Sequence, residues 1–476
     1  MALTTTRSHP AGFAAAFTDA TETPEEMILE VVGELPQELR GTLYRNGPAR
    51  WDPAGFSAQH VFDGDGLLAK FTIDAGQVRF RSRYVRTPKF RALEHGSGKN
   101  PRRWWMQPGG LIPGVGLPSD NANTHAVAHA GRLLALSDIG RPWEIDPRNL
   151  HTLRSCNFDG QLSRWSRFSP HPKLDPVTGE LFNFGMDLTP RAGLPFGLRC
   201  YRVDPHGRLT TMATVPMQHL IVVHDFAITE THLVFALSPL TVDPVRAAAA
   251  LAGRGTVFGA ARYRPDLGMK IVLVPRGGGR HRVVEADPLA FVHVNNAYDD
   301  GRDVVLDVVR YHDARQLFGD LSNFRDGSPH TGNPSRLRIT ASGAVLVEDS
   351  EDVPLVEFPM HDARRTGRHY RYGYYAHFDP DTGASALVKL DHTSRRQHRH
   401  ALADGVIAGE PIFVPRSAKA AEDDGWLLTL TYLPREHRTA LTILSAKNIE
   451  SAPIAVAHTH SHFFPGFHGS WVDHVT

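Results

Sequence analysis

The chain has 476 residues, 41% hydrophobic and 22% charged, a composition that supplies a large buried core. Lys and Arg number 52 against 51 Asp and Glu, so no basic surplus argues for nucleic acid as a partner. No apolar run approaches the ~18 residues of a spanning helix, the N-terminus lacks a signal-peptide pattern, and Cys156 and Cys200 make no disulfide framework, so a cytoplasmic protein, soluble or peripheral to a membrane, is expected.

Residues 1–30 carry little periodic signal and read as an N-terminal arm, with a helical turn expected around Thr23-Pro24-Glu25-Glu26. Gly41-Thr42-Leu43-Tyr44-Arg45-Asn46-Gly47-Pro48 reads as an apolar strand ending in a Gly-Pro turn. Phe62-Asp63-Gly64-Asp65-Gly66-Leu67 is a tight turn feeding a hairpin, in which Ala69–Ile73 alternates, Asp74-Ala75-Gly76 turns and Val78–Val85 alternates back. A long loop follows, with Trp104, Trp105, Met106, Leu111 and Ile112 flanked by Arg102 and Arg103. It suits two settings equally: a patch that dips into a membrane to collect an apolar substrate, or a loop folded back over the core.

Further strands are expected at Arg132–Ser137, Leu233–Leu237, Asp303–Arg310, Leu337–Thr340 with Ala344–Glu348, Trp426–Tyr432 and Leu441–Leu444. Turns at Asp175–Gly179, Asp204–Gly207 and Asp379–Gly383 join Pro, which presets the first dihedral, to Gly, which accepts positive φ. Helical patterning is confined to insertions such as Pro244–Leu251. Many short strands with no linker predict one closed all-β body over residues 1–476, a propeller rather than a sandwich at this length. No repeat is strong enough to count the blades.

Histidine is the outlier, at 27 residues. His458, His460 and His462 alternate, which on a strand puts three imidazoles on one face, a setting for adventitious metal. Four others stand in short unusual motifs: His171 in Ser169-Pro170-His171-Pro172-Lys173, His224 in Val223-His224-Asp225-Phe226, His293 in Phe291-Val292-His293-Val294-Asn295, and His468 in Phe467-His468-Gly469. Each taken alone fits a buried core histidine as well as a metal ligand. Only the tertiary fold can unite them, and a propeller does so because its inner strands run beside one axis. Four neutral imidazoles suit Fe(II), Zn or Cu by ligand type and do not name the ion.

The motifs GTLYRNGP, FDGDGL, HPKLDPVTGE, HDFAIT, HxxNAY, EFP, GEPIFVP, EDDGWLL and FHGSW, spread from Gly41 to Trp471, resemble those of the carotenoid cleavage oxygenases. Arg368–Tyr372 and Ile271–Gly278 echo their bacterial apocarotenoid 15,15′-oxygenase branch. The resemblance implies a seven-bladed β-propeller with small helical and loop insertions capping an axial site. That site would hold ferrous iron, Fe(2+), on His171, His224, His293 and His468. It further implies three carboxylates that each accept an N–H from a ligand histidine. Glu357 and Glu410 match; the third position falls on Asp138, where the family usually has Glu. The side chain is one methylene shorter, so the backbone shifts inward, a water bridges, or that ligand is held less firmly.

The implied chemistry is scission of one C=C bond with O2 into two carbonyls, from a polyene such as an apocarotenoid to retinal-like aldehydes. No catalytic residue beyond the iron ligands is required. Phenolic stilbenes or phenylpropenes are the alternative substrates. Stilbene-cleaving relatives resemble one another in a Lys just before the first of the three acids; here Ser137 stands there, and a neutral hydroxyl gives no charge-assisted contact to a phenol oxygen. A reading of another class, a catalytically inert ligand-binding propeller, would predict a missing ligand or acid.

Overall fold

The computed structural model describes residues 14–53, 58, 60–94, 120–163, 166–187, 193–251, 254, 256, 258–314, 317, 331–350, 352–379 and 382–473. The loop carrying Trp104, Trp105, Met106, Leu111 and Ile112 lies outside them. Seven antiparallel sheets of at least four strands form the blades of a propeller. Their innermost strands, in order around the ring, are His468–Val472, His125–His129, Lys173–Leu174, Ala227–Ile228, Ala290–Asp300, Val356–His361 and Ile412–Pro415. A two-stranded insertion pairs Leu240–Val242 with Ala261–Tyr263. The α-helices among the described residues are Pro88–Glu94 and Pro244–Leu251.

Each blade is apolar on both faces because it is sandwiched between two others. This explains near-continuous runs such as Leu427, Leu428 and Leu430 beside Leu441, Ile443 and Leu444. Val127, Leu134 and Leu136 meet Leu181 and Tyr201 between the second and third blades. Ala227, Val234 and Ile271 meet Val294, Val304 and Leu306 between the fourth and fifth. Leu428, Leu441 and Ile443 meet Leu43, Phe71 and Phe80 where the seventh returns to the first. At about 1.5–3 kcal/mol per buried aliphatic or aromatic side chain, these inter-blade seams hold the ring together.

Both chain ends close it. His468–Val472 pairs with Gly41–Arg50, with His468 opposite Asn46 and Val472 opposite Thr42. The N-terminal arm adds Thr23–Ile28 to the outer edge of that first blade and Glu30–Gly33 to the seventh. The helical turn expected at Thr23-Pro24-Glu25-Glu26 is therefore a strand. The free edge of Gln77–Tyr84 supplies unmet backbone groups, and Pro24 is tolerated because the strand is at an edge. The predicted hairpin is present as Asp65–Asp74 and Gln77–Tyr84, with Ala75 and Gly76 both at positive φ in the turn.

The alternating histidines do not share a strand. Ala455–His458 ends at the first of them, and the His462 ring stacks on His437 with centroids 3.9 Å apart. Both cysteines are free and buried. No helix among the described residues is long and apolar enough to cross a membrane.

Candidate metal centre

Every blade delivers one titratable side chain to the same end of the axis. His468 opens the first innermost strand, His293 lies in the fifth and Glu357 in the sixth. His171, His224 and Glu410 stand just ahead of the third, fourth and seventh. Asp138 follows Arg132–Leu136, the second strand of its blade, whose antiparallel pairing returns the chain beside the start of His125–His129. Residues scattered over the chain thus meet because each blade brings the start of its innermost strand to the same place.

The four histidines offer ring nitrogens that all lie within 4.8 Å of one another. His171 Nε2 is 2.8 Å from His224 Nε2, which is 3.3 Å from His293 Nε2. Two nitrogens bound at ~2.1 Å to one ion, and at right angles, lie about 3.0 Å apart, so these separations fit a shared cation. Three of the rings give their other nitrogen to a carboxylate: His224 Nδ1 to Asp138 Oδ1 at 2.7 Å, His293 Nδ1 to Glu357 Oε2 at 2.5 Å, and His468 Nδ1 to Glu410 Oε1 at 2.7 Å. That fixes the tautomer and turns the bare Nε2 inward. Asp138 therefore reaches its histidine directly, with no bridging water needed. His171 has no such acid; Asp225 Oδ1 is 3.9 Å from its Nδ1 and is taken by Lys173 Nζ at 2.8 Å.

The electrostatics ask for a cation. Glu357 and Glu410 are buried, and with Asp138 they bring three negative charges against the single positive charge of buried Arg45. A divalent ion brings this cluster to neutrality, and a buried charge cluster is costly unless it is compensated. Burial, then the neighbouring imidazoles, holds His171 and His468 well below the ordinary imidazole range, so both are neutral donors at neutral pH. Burial opposes protonation of His293 too, but Glu357 outweighs it and raises that ring.

Further residues hold the cluster in place, of which Tyr311 and His125 lie in none of the sequence motifs. Glu410 Oε2 accepts from Arg45 Nη1 at 2.5 Å and from the Gly469 backbone N–H at 3.2 Å. Glu357 accepts from the Tyr311 hydroxyl through Oε1 and from the Phe358 N–H through Oε2. A fifth histidine, His125, is no ligand. Its Nδ1 donates to the Pro170 carbonyl at 2.6 Å, and its Nε2 lies 3.2 Å from the Gly469 carbonyl, so it ties together residues adjacent to His171 and His468. Phe358 sits at φ 52, in the left-handed region, with its ring 5.7 Å from both His293 and His468. Phe467 and Phe62 extend this aromatic wall, their rings 5.5 Å apart. A cavity of about 380 Å³ also reaches His171, His293 and His468, lined by polar Lys173, Asp225, Asn295 and His361 among apolar residues such as Val127, Ile228, Val294 and Ile412. The Ser137 hydroxyl donates to Asp120 Oδ1 at 2.6 Å.

The profile of the retinal pigment epithelial membrane protein family matches residues 17–473. The apocarotenoid-15,15'-oxygenase of Synechocystis sp. is 33% identical, across 93% of this chain and 92% of its own. The lignostilbene-alpha,beta-dioxygenase isozyme III of Sphingomonas paucimobilis is 30% identical, across 94% of this chain and 93% of its own. The isoeugenol monooxygenase of Pseudomonas nitroreducens is 31% identical, across 93% and 94%. A solved structure of the cobalt-substituted Synechocystis ACO superposes with a TM-score of 0.85 at 31% identity, covering 97% of this chain and 98% of that one.

Proposed function

The chain belongs to the carotenoid oxygenase family, that of the retinal pigment epithelial membrane protein, and on this premise we propose that it is a non-haem Fe(II) oxygenase cleaving one double bond of an apocarotenoid with O2 to two carbonyl products. We propose that residues 1–476 act as one functional domain, a reading supported by a family match over residues 17–473. The observation that carries the reading is the charge-balanced convergence of four imidazole nitrogens, three of them backed by an acid.

His171, His224, His293 and His468 would hold the iron, and the ion would supply the activation of O2 that no amino-acid side chain provides. The protein's part is orientation. Asp138, Glu357 and Glu410 hold three rings in one tautomer and raise their basicity. The aromatic wall of Phe358, Phe467 and Phe62 beside the cluster supports an apolar chain lying there and keeps bulk water off the reacting bond. Scission by O2 needs no protein acid, base or nucleophile.

The lignostilbene and isoeugenol enzymes among the relatives keep phenolic alkenes as the second reading. Ser137 favours the polyene, because its hydroxyl is neutral and already committed to Asp120. Peripheral membrane contact through the Trp104–Ile112 loop is part of the polyene reading, since such substrates dissolve in bilayers. The test is direct: incubate the Fe(II)-loaded chain with an apocarotenal and with a hydroxystilbene, follow O2 uptake and identify the aldehydes. Retinal-like aldehyde from the apocarotenal is the expected product. Cleavage of the stilbene alone overturns the substrate assignment, and iron binding with no oxygen uptake on either substrate makes the chain an inert propeller.

A further inference from the structure

Resting on the reading of the four histidines as metal ligands, we propose that Arg45 and Tyr311 are positioning residues that lock two of the three histidine–carboxylate arms, leaving the His224–Asp138 arm as the compliant one.

The geometry differs from arm to arm. Glu410 uses one oxygen for His468 and the other for Arg45 and the Gly469 N–H. Arg45 is 2% exposed and also donates from Nη2 to the Phe467 carbonyl at 3.0 Å, so one guanidinium ties the acid to the residue just before His468. Its charge is also the cation that keeps the cluster in balance with a divalent ion. Glu357 likewise uses Oε2 for His293 and Oε1 for Tyr311. Tyr311 is 3% exposed and closes Asp303–Tyr311, the strand beside that of His293, so its hydroxyl is placed by the sheet rather than by a loop. A carboxylate held at both oxygens cannot rotate, and its histidine is fixed with it. Asp138 is different: among the described residues it accepts from His224 and from no further donor, with its side chain 22% exposed and that of His224 16% exposed.

Tyr311 donates to Glu357, and Arg45 to Glu410 and the Phe467 carbonyl, so each bears on its histidine through the groups that hold it. That makes a sharp test with no activity measurement. The metal-free chain and its variants are titrated anaerobically with Fe(II), and with Co(II) as an air-stable probe, against a chromophoric chelator, while the thermal midpoint of each metal-free form is recorded. Tyr311→Phe removes one hydroxyl and keeps the ring. Arg45→Lys keeps the charge but cannot span both Glu410 and the Phe467 carbonyl. Each is expected to weaken metal binding about tenfold, in the range for groups that orient a metal's ligands. The loss from Tyr311→Phe is expected to shrink in a Glu357→Gln background, and that from Arg45→Lys in a Glu410→Gln background. Wild-type affinity in Tyr311→Phe, or losses that persist in full beside the Gln variants, overturns the proposal. A wild-type chain that binds neither metal overturns the metal-centre reading beneath it, which is a distinct result.

Discussion

At the level of single residues, the ligand set is the part of this protein most open to reading from sequence. The proposed ligands His171, His224, His293 and His468 each sit in a compact motif that can be recognised wherever it falls in the chain. The supporting groups are less legible. Arg45 lies inside a buried strand and reads there as one more strand residue; the useful signal is that a charge in such a run must find a buried partner, here Glu410. Tyr311 has no motif, and the strand predicted to end at Arg310 continues one residue to include it. Asp138 illustrates the opposite case. A shorter acid raised doubt about reach, yet its oxygen stands at hydrogen-bond distance from His224. Glu357→Gln tests the acids at this scale. The amide cannot match the carboxylate's charge, so iron content after dialysis against a weak chelator should fall, with affinity down about 10–100-fold. Ser137→Ala, which touches only Asp120 and the Gly140 N–H, should leave iron content unchanged in the same assay.

The elements explain why the last strand matters more than its five residues suggest. His468–Val472 carries the proposed ligand His468, closes the first blade and packs against the strand that carries Arg45. Gly469 is obligatory there: a Cβ on it would lie 2.1 Å from the Tyr44 carbonyl oxygen and 2.7 Å from Arg45 Cδ. Gly469→Ala must therefore push the two strands apart, costing about 1–3 kcal/mol as overpacking does, and it displaces the guanidinium that fixes Glu410. The expected result is a thermal midpoint lowered by several degrees together with a loss of bound iron, measured by calorimetry and metal analysis. The N-terminal arm shows where element prediction failed. Pro24, Glu25 and Glu26 look like the start of a helix, and nothing local says otherwise. What decides the conformation is an open strand edge more than fifty residues away, Ser82 opposite Thr23. Local propensity is weak against unmet backbone hydrogen bonds.

Across the molecule, one architectural fact produces the centre: seven blades, each contributing one histidine or acid at the same end of the axis. Turn chemistry and strand patterning revealed an all-β closed body, but the blade count and the convergence came only with a resemblance that spans the chain, because blades here share no repeat in sequence. The same packing that builds the ring holds histidines outside the four-histidine cluster largely out of water, and this sets how stability responds to acid. His361 is pushed down to about 3 and His392 to about 4, in each case chiefly by burial. In the unfolded chain both titrate near 6.5. Below that pH the unfolded state binds protons that the folded state refuses, so stability must fall as pH drops, by up to about 1.4 kcal/mol per pH unit for each site. The loss begins near pH 6.5 and continues until the folded groups themselves titrate, near 4 for His392 and 3 for His361. Thermal midpoints of the metal-free chain at pH 7, 6 and 5 should therefore decline steadily. His361→Gln retains an amide donor for the Asn295 oxygen 3.1 Å away and removes one titrating site, so its decline should be shallower than wild type even if its midpoint at pH 7 is lower. Parallel pH profiles for the two proteins would mean that His361 is not the buried neutral imidazole the packing makes it.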